Sequence, residues 1–293
     1  MILVTGAGGF VGRHVLRRLQ GPRRAMVRNR SSAPGGTDVE VVEADVTRPE
    51  TLKPAVAGID IIVHTAAITA NQKEPYPGAY DAINRRGTEN LVAAAREAGV
   101  KRLVVMSGLG TRPAPKGTYM ATRQGMEEAV RKSGLPFVIL QPSVLFGDGA
   151  EFVEALAALA RVFPVVPVLG RGDLKFQPLW IEDLATCLSR AAEDEAYDGR
   201  TIPLGGAEYA TLRTIQETIA RVLGKRRLHV PLPLPLARVQ ARVMTAVLPH
   251  PPLTPATLEL FSFENATSLD ACDRAFGFHP RAFREHLLTH GLT

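Results

Sequence analysis

Apolar and polar positions alternate between two periods in the first half of this chain. Short apolar runs at 2–4, 25–27, 39–42, 59–64, 103–106 and 137–140 predict buried strands. Helical spacing fills the stretches between several of them, at 11–19, 51–57, 81–98 and 121–132. Gly99 and the pair Ser133-Gly134 stop the last two of these helices. A loop rich in Pro, Gly and Ser runs from 31 to 37. Repeated strand–helix units with short links predict parallel strands and right-handed crossovers. The expected fold class is α/β, a Rossmann-type doubly wound parallel sheet. Beyond Gly147 the alternation loosens. An apolar helix is expected at 152–162, extended chain at 175–181 and a return strand at 201–204. Asp183 is placed to cap a helix reaching 192, and Thr211 one at 212–223. Pro231, Pro233 and Pro235 predict a stiff extended turn, followed by helices near 236–248, 255–262 and 281–290. Residues 1–147, with returning segments about 175–205, therefore form the expected nucleotide domain. Residues 148–174 and 206–293 form a smaller, mostly helical C-terminal lobe on the substrate side.

The 293 residues are 45% hydrophobic and 22% charged, which leaves this ordinary globular picture intact. A chain of this size buries enough core to need no disulfide or metal. Cys187 and Cys272 lie far apart without metal-ligand spacing, so reduced thiols in a cytoplasmic protein are expected and no metal site. No charged-then-apolar leader precedes the first strand, and no apolar run approaches the ~20 residues of a spanning helix. The net charge of +6 raises nucleic acid as a partner. The absence of a basic run interleaved with aromatics argues against it. Arg13, Arg17, Arg18, Arg23, Arg24, Arg28 and Arg30 form the main basic concentration, mostly a solvated helix face in the simplest reading.

The stretch 1–12, MILVTGAGGFVG, changes the picture most. A strand, a turn through Gly6, Gly8, Gly9 and Phe10, and a helical pattern from Val11 onward that includes Gly12 are the context of dinucleotide binding. A pyrophosphate requires bare backbone N–H groups and the positive end of a helix dipole. A β-carbon at Gly6 or Gly9 holds phosphates away, and one at Gly12 pushes the helix off the strand. Arg28 closes the second strand where a ribose is expected; no acid stands there for a 2′-hydroxyl. A guanidinium grips a 2′-phosphate with two charge-assisted bonds, so NADP(H) is expected rather than NAD(H). Asp45 could accept the adenine amino group with Val46 packed nearby, or simply cap the turn before Pro49. His64, inside an apolar strand, is expected to be a core histidine.

Ser107 follows a strand and Tyr119 opens a helix. The four-residue step places Tyr119 and Arg123 on one helix face. A cation beside a phenol lowers its pKa from about 10 toward working pH. A phenolate with a serine hydroxyl nearby can move a proton at a carbinol oxygen while hydride passes to nicotinamide. The alternative for Tyr119 is a tyrosine packed on the helix cap.

With these residues the chain resembles the short-chain dehydrogenase/reductase superfamily, as an atypical or extended member. The glycine pattern, Asn84 with the run Gly87-Thr88-Glu89-Asn90-Leu91, Ser107 and Tyr119-x-x-x-Arg123 fall in the superfamily's order. The resemblance is closest to the NADPH-binding accessory subunit of respiratory complex I and its free-standing bacterial relatives. The phrases from Ser133 to Leu135, Gln141 to Gly147 and Gln177 to Ala185 extend it. It implies that Gly6, Gly9 and Gly12 hold the pyrophosphate and Arg28 the 2′-phosphate. It also implies that Ala66 and Ala67 line the ribose, that Ser107 and Tyr119 are the acid/base pair, and that Pro142 and Ser143 approach the nicotinamide. Arg123 stands where the superfamily usually has lysine, and Gln141 where relatives often carry arginine. Both departures bear on turnover rather than on cofactor binding.

Two functions follow. One is hydride transfer to a small carbonyl or a sugar-nucleotide-like substrate, of oxidoreductase or epimerase/dehydratase type. Tyr119 would then give the proton, Ser107 orient the oxygen and Arg123 hold the ribose. The other is a non-catalytic NADPH-binding structural or assembly factor. The stretch 236–249 is basic and amphipathic; packing on its own domain is expected, with contact to a membrane surface as the alternative. A homo-oligomer or a larger complex is compatible with the sequence.

Overall fold

The computed structural model describes residues 1–35, 38–170, 172–248, 251 and 253–292. The expected loop at 31–37 and the stretch 236–249 thus each extend outside the described residues, at Gly36, Thr37 and Pro249. The chain divides into two compact units. The first comprises Met1–Ile68, Glu74–Gln141 and Leu184–Ile202; the second comprises Thr69–Lys73, Pro142–Asp183 and Pro203–Thr293.

In the first unit β1 (Ile2–Thr5), α1 (Phe10–Arg18), β2 (Arg23–Val27), β3 (Val39–Glu43), α2 (Pro49–Val56) and β4 (Ile61–His64) follow one another. Then come α3 (Gly87–Glu97), β5 (Arg102–Met106), α4 (Tyr119–Arg131) and β6 (Phe137–Pro142). These six strands, with β11 (Arg200–Leu204) at the edge, form a seven-stranded sheet of order β11-β6-β5-β4-β1-β2-β3. The pairs β1·β2, β2·β3, β1·β4, β4·β5 and β5·β6 are all parallel. The order reverses between β1 and β4, the point at which open α/β sheets bind ligands outside the carboxyl ends of their strands. Leu3, Ile62, Leu103 and Ile139 of the sheet are buried against Leu52, Leu91 and Val130 of the helices.

Two arginines expected on a solvated face, Arg23 and Arg24, bind helix-end carbonyls instead, while Arg17 and Arg18 stay exposed on α1 as expected. Arg23 donates to the Leu16 and Leu19 carbonyls at the end of α1. Arg24 donates to Ala55 and Ala57 at the end of α2 and pairs with Glu40. Arg18 donates to Thr186, and Arg17 to His14. Orphan helix carbonyls attract such donors, a role that spacing along one helix does not reveal.

The expected helix at 81–98 is two segments. Asp81–Arg86 is π-helical, and the Gly87 amide reaches back to the Ala82 carbonyl. Asn84 explains the wider turn. Its side chain accepts from Ile68 N–H at 2.9 Å and donates to the Ile68 carbonyl at 3.1 Å. This two-point clasp fixes the chain leaving β4.

His64 is the core histidine expected. Thr88 donates its proton to the Asn84 carbonyl, so it accepts from His64 Nε2 at 3.0 Å. The Thr5 hydroxyl then donates to Nδ1 at 2.7 Å. Both ring nitrogens are satisfied in the neutral form, and burial lowers the His64 pKa to about 4. Between the ordinary value near 6.5 and about 4, the unfolded chain binds a proton that the folded chain refuses, so stability falls as pH falls through this window. Urea unfolding at pH 7 and 4.5 should show the wild type losing about 2 kcal/mol more than His64→Asn. Equal losses would contradict this role.

The second unit carries β7 (Leu145–Phe146), α5 (Glu151–Val162), β8 (Val165–Leu169), β9 (Lys175–Phe176) and β10 (Leu179–Trp180). The helix α6 (Ile181–Glu193) leads back toward β11, and after it come β12 (Ala210–Thr211), α7 (Leu212–Val222) and β13 (Leu228–Leu232). The chain closes with α8 (Leu234–Val247), α9 (Pro255–Leu260), α10 (Ala271–Phe276) and α11 (Phe283–His290). The mostly helical lobe also holds three two-stranded sheets: β7·β10, β9·β12 and β8·β13. Thr211 caps α7 through a reciprocal bond with Thr214, as expected. Asp183 does not cap α6; it lies in the first turn and accepts from the Arg281 amide at 2.7 Å. Phe146 packs edge-on against Phe283, and Phe176 lies tilted against Phe261. Both cysteines are buried and form no disulfide.

Candidate functional site

The glycine turn sits at the reversal of strand order. Gly6 follows β1 with φ +67°, and a β-carbon there would lie 2.8 Å from the Ala66 backbone, just past β4. Two strand ends therefore meet backbone to backbone. Gly9 is the N-cap of α1 and makes no side-chain cap bond. The first-turn amides at Phe10, Val11 and Gly12 have no intrahelical acceptor, as at any helix start. A β-carbon on Gly12 would stand 2.2 Å from the Gly6 carbonyl oxygen. One on Gly8 would stand 2.3 Å from the Ser32 carbonyl oxygen. That contact ties the glycine turn to the chain after β2, where Asn29 caps a short 3-10 turn over Arg30–Ser32. Arg28 opens this segment and is exposed. Bare amides, a helix start and an exposed guanidinium nearby fit a dinucleotide phosphate.

Asp45 lies just past β3 and makes a turn contact. One carboxylate oxygen accepts from both the amide and the hydroxyl of Thr47, each at 2.8 Å. Val46 is buried against Gly87, where a β-carbon would come within 2.6 Å of its side chain. Asn90 donates to the Val46 carbonyl at 2.9 Å. Ala66 and Ala67 are held at the end of β4 through the Asn84 clasp on Ile68.

Thr118 caps α4 by accepting from the Ala121 amide, which starts the helix at Tyr119. The Tyr119 ring is buried and lies edge-on to Tyr80 at 5.1 Å. The Arg123 guanidinium lies 5.9 Å from the Tyr119 ring centroid. Arg123 itself is buried; Nη2 is 3.5 Å from the Leu109 carbonyl, and a β-carbon on Gly108 would collide with the guanidinium. Burial lowers the Arg123 pKa, opposed by the charges of Tyr119 and Glu127 and assisted by Arg112. The guanidinium stays protonated at any working pH.

Glu127, unmarked by the sequence, lies one turn beyond Arg123 and its side chain is 2% exposed. Its Oε1 accepts from the Ser107 hydroxyl at 2.5 Å and from Gln141 Nε2 at 2.8 Å. Its Oε2 accepts from Arg131 at 2.6 Å. Ser107 has one proton, and the carboxylate takes it. Thr111 Oγ1 lies 3.2 Å from the Ser107 oxygen and donates to the Gly108 carbonyl. The signal was present as Tyr119, Arg123 and Glu127 at four-residue steps, with Gln141 in place of a cation. Glu127→Gln should cost about 1–2 kcal/mol in chemical unfolding, since an amide keeps the shape but loses charge-assisted bonds. No measurable cost would show that the carboxylate is not what organises Ser107 and Gln141.

Pro142 and Ser143 belong to the second unit. The Ser143 hydroxyl is buried, lies 2.7 Å from both the carbonyl and Oδ1 of Asn265, and accepts from the Gln177 amide. No group of acid, histidine or cysteine side chains among the described residues could hold a metal. No described helix is long and apolar enough to cross a membrane.

Residues 6–159 match the sequence profile of a family described as NAD(P)H-binding. A ceramide reductase of Caulobacter vibrioides is 31% identical over 248 residues, 80% of this chain and 74% of that protein. The mitochondrial NADH dehydrogenase [ubiquinone] 1 alpha subcomplex subunit 9 of Arabidopsis thaliana is 21% identical over 91% of this chain and 68% of its own. The solved structure of MoeE5 in complex with UDP-glucose and NAD superposes with a TM-score of 0.76 at 19% identity. That match covers 98% of this chain and 96% of that one, and shows a shared fold.

Proposed function

The chain belongs to the NAD(P)H-binding family, and from that premise we propose that it is an NADP(H)-dependent reductase acting on a carbonyl group. The amides at the start of α1 and the bare turn at Gly6, Gly8 and Gly9 would hold the pyrophosphate. Arg28 would pair with the 2′-phosphate, which is the basis for NADP(H) over NAD(H). Val46 would pack near the adenine, and Ala66 and Ala67 near the ribose. When bound, the cofactor supplies the hydride. Tyr119 gives the proton to the carbonyl oxygen, and the Arg123 charge beside it favours the phenolate left behind. Ser107, its hydroxyl donating a hydrogen bond to Glu127, offers an acceptor lone pair that helps seat the product hydroxyl.

The buried pairing of the Tyr119 ring with the Arg123 guanidinium carries this reading. The named reductase among the relatives supports it and suggests substrates with an acyl chain. NADPH deuterated at the transferable position, incubated with a panel of long- and short-chain ketones, should place deuterium on a product carbinol carbon.

A second reading has its own observation. The Arg123 guanidinium is packed against Gly108 and the Leu109 carbonyl, and the Ser107 proton is committed. A protein holding NADPH without turnover, as the similarity to a complex I subunit suggests, would show that arrangement. Tight NADPH binding with no deuterium transfer to any ketone would favour it.

A further inference from the structure

The helix α8 is inside out. Its small residues Ala237 and Ala241 are fully buried and pack with Leu258, Leu169, Leu232 and Leu253. Its large residues face away: Leu236, Val239, Val243 and Val247 are 57%, 58%, 57% and 73% exposed. Steps of three, four and four residues place these four on one stripe, opposite the buried alanines. Leaving them in water is costly, because each exposed aliphatic side chain forgoes its burial. Of the fifteen large hydrophobic residues exposed among the described residues, ten fall within 162–165 and 228–248. Val165 pairs with Leu228 and Pro167 with Val230 across β8·β13, and these four are exposed together. A patch of this kind marks an interaction surface.

Charge identifies the occupant. No Asp or Glu occurs between Glu217 and Glu259, whereas six Lys and Arg do: Arg221, Lys225, Arg226, Arg227, Arg238 and Arg242. Arg238 and Arg242 are exposed and flank the apolar stripe on α8 itself. A second copy of the chain would bring like charge against like charge. An anionic lipid surface offers hydrocarbon to the stripe and phosphate to the arginines at once. At 14 residues α8 is about 21 Å long, too short to span the ~30 Å hydrocarbon layer, so it would lie in the plane of the interface.

We propose that α8 docks this protein on anionic bilayers, with Leu236, Val239, Val243 and Val247 inserted and Arg238 and Arg242 at the headgroups. This is independent of the cofactor reading.

Co-sedimentation of the full chain with vesicles tests it. The protein should pellet at low salt with phosphatidylcholine vesicles containing phosphatidylglycerol. It should pellet at least about tenfold less with phosphatidylcholine alone, and binding should fall as salt screens the arginines. Arg238→Gln with Arg242→Gln should weaken partitioning about 25-fold, at roughly fivefold per cation near the surface. Val239→Ser with Val243→Ser should weaken it by about tenfold or more. All four side chains are exposed, so melting temperatures should not change; the thermal melt of each variant verifies this. Failure of the wild type to pellet with anionic vesicles overturns the proposal. Undiminished pelleting of folded variants, or equal binding to neutral vesicles, does so too. A wild-type dimer that becomes monomeric in the valine variant, without vesicle binding, would assign the stripe to a second copy instead.

Discussion

Replacing Tyr119 by phenylalanine is expected to lower NADPH-dependent carbonyl reduction by about 10²–10⁴-fold, the range that a positioned proton donor contributes. The substitution removes one oxygen and keeps the ring. Packing against Tyr80 at 5.1 Å and the Arg123 charge 5.9 Å from the ring centroid therefore persist. Affinity for NADPH should change by no more than about fivefold, the worth of one hydrogen bond. A loss confined to turnover separates the proton-donor role from a packing role. Turnover that survives undiminished in Tyr119→Phe would remove Tyr119 as the acid. Steady-state kinetics on whichever ketone accepts deuterium, together with cofactor titration of the same variant, provides both readouts.

Gly12→Ala is expected to weaken cofactor binding by about 100-fold or more and to cost about 3 kcal/mol of stability. Two effects of opposite sign compete. Gly12 lies inside α1, where alanine gains roughly 1 kcal/mol of helix propensity over glycine. Against this, the new β-carbon would stand 2.2 Å from the Gly6 carbonyl oxygen and 2.8 Å from the Ala7 Cα. Both are backbone atoms, and no side chain can rotate away to relieve them. The helix must move off β1, and its start moves with it relative to Gly6 and Gly9. Overpacking wins, and the cofactor cradle is distorted in the same step. Denaturant unfolding and NADPH titration of Gly12→Ala check the two halves; a stabilised variant that binds normally would mean that α1 is not pinned to the strand there.

Local pattern carried most of the first unit. Most strands of the sheet hold a short apolar run, and the flanking helices show their own period, so neighbouring residues suffice to find them. Glycine spacing located the tight turn between β1 and α1 because φ and close approach are properties of single positions. What the pattern missed depends on distant partners. Glu127 looks like any charged residue in the run MEEAVR until Ser107 and Gln141, brought by β5 and β6, converge on it. Arg23 and Arg24 look like surface charge until the ends of α1 and α2 arrive. The widened turn at 81–86 follows from the Asn84 clasp on Ile68, sixteen positions away. The sheet β8·β13 joins segments more than sixty residues apart in sequence. On α8 the amphipathic pattern was legible but its orientation was not. Alanines pack as closely as valines when the neighbouring element approaches nearer, and only the tertiary structure says which face is covered.

The glycine turn and the basic end of β2 are proposed to hold NADP(H). Isothermal titration of the wild type and of Arg28→Ala with NADPH and NADH tests it most directly. One NADPH per chain is expected, bound at least about tenfold more tightly than NADH, with the difference lost in Arg28→Ala. Equal affinity of the wild type for the two cofactors, or binding of neither, would contradict it.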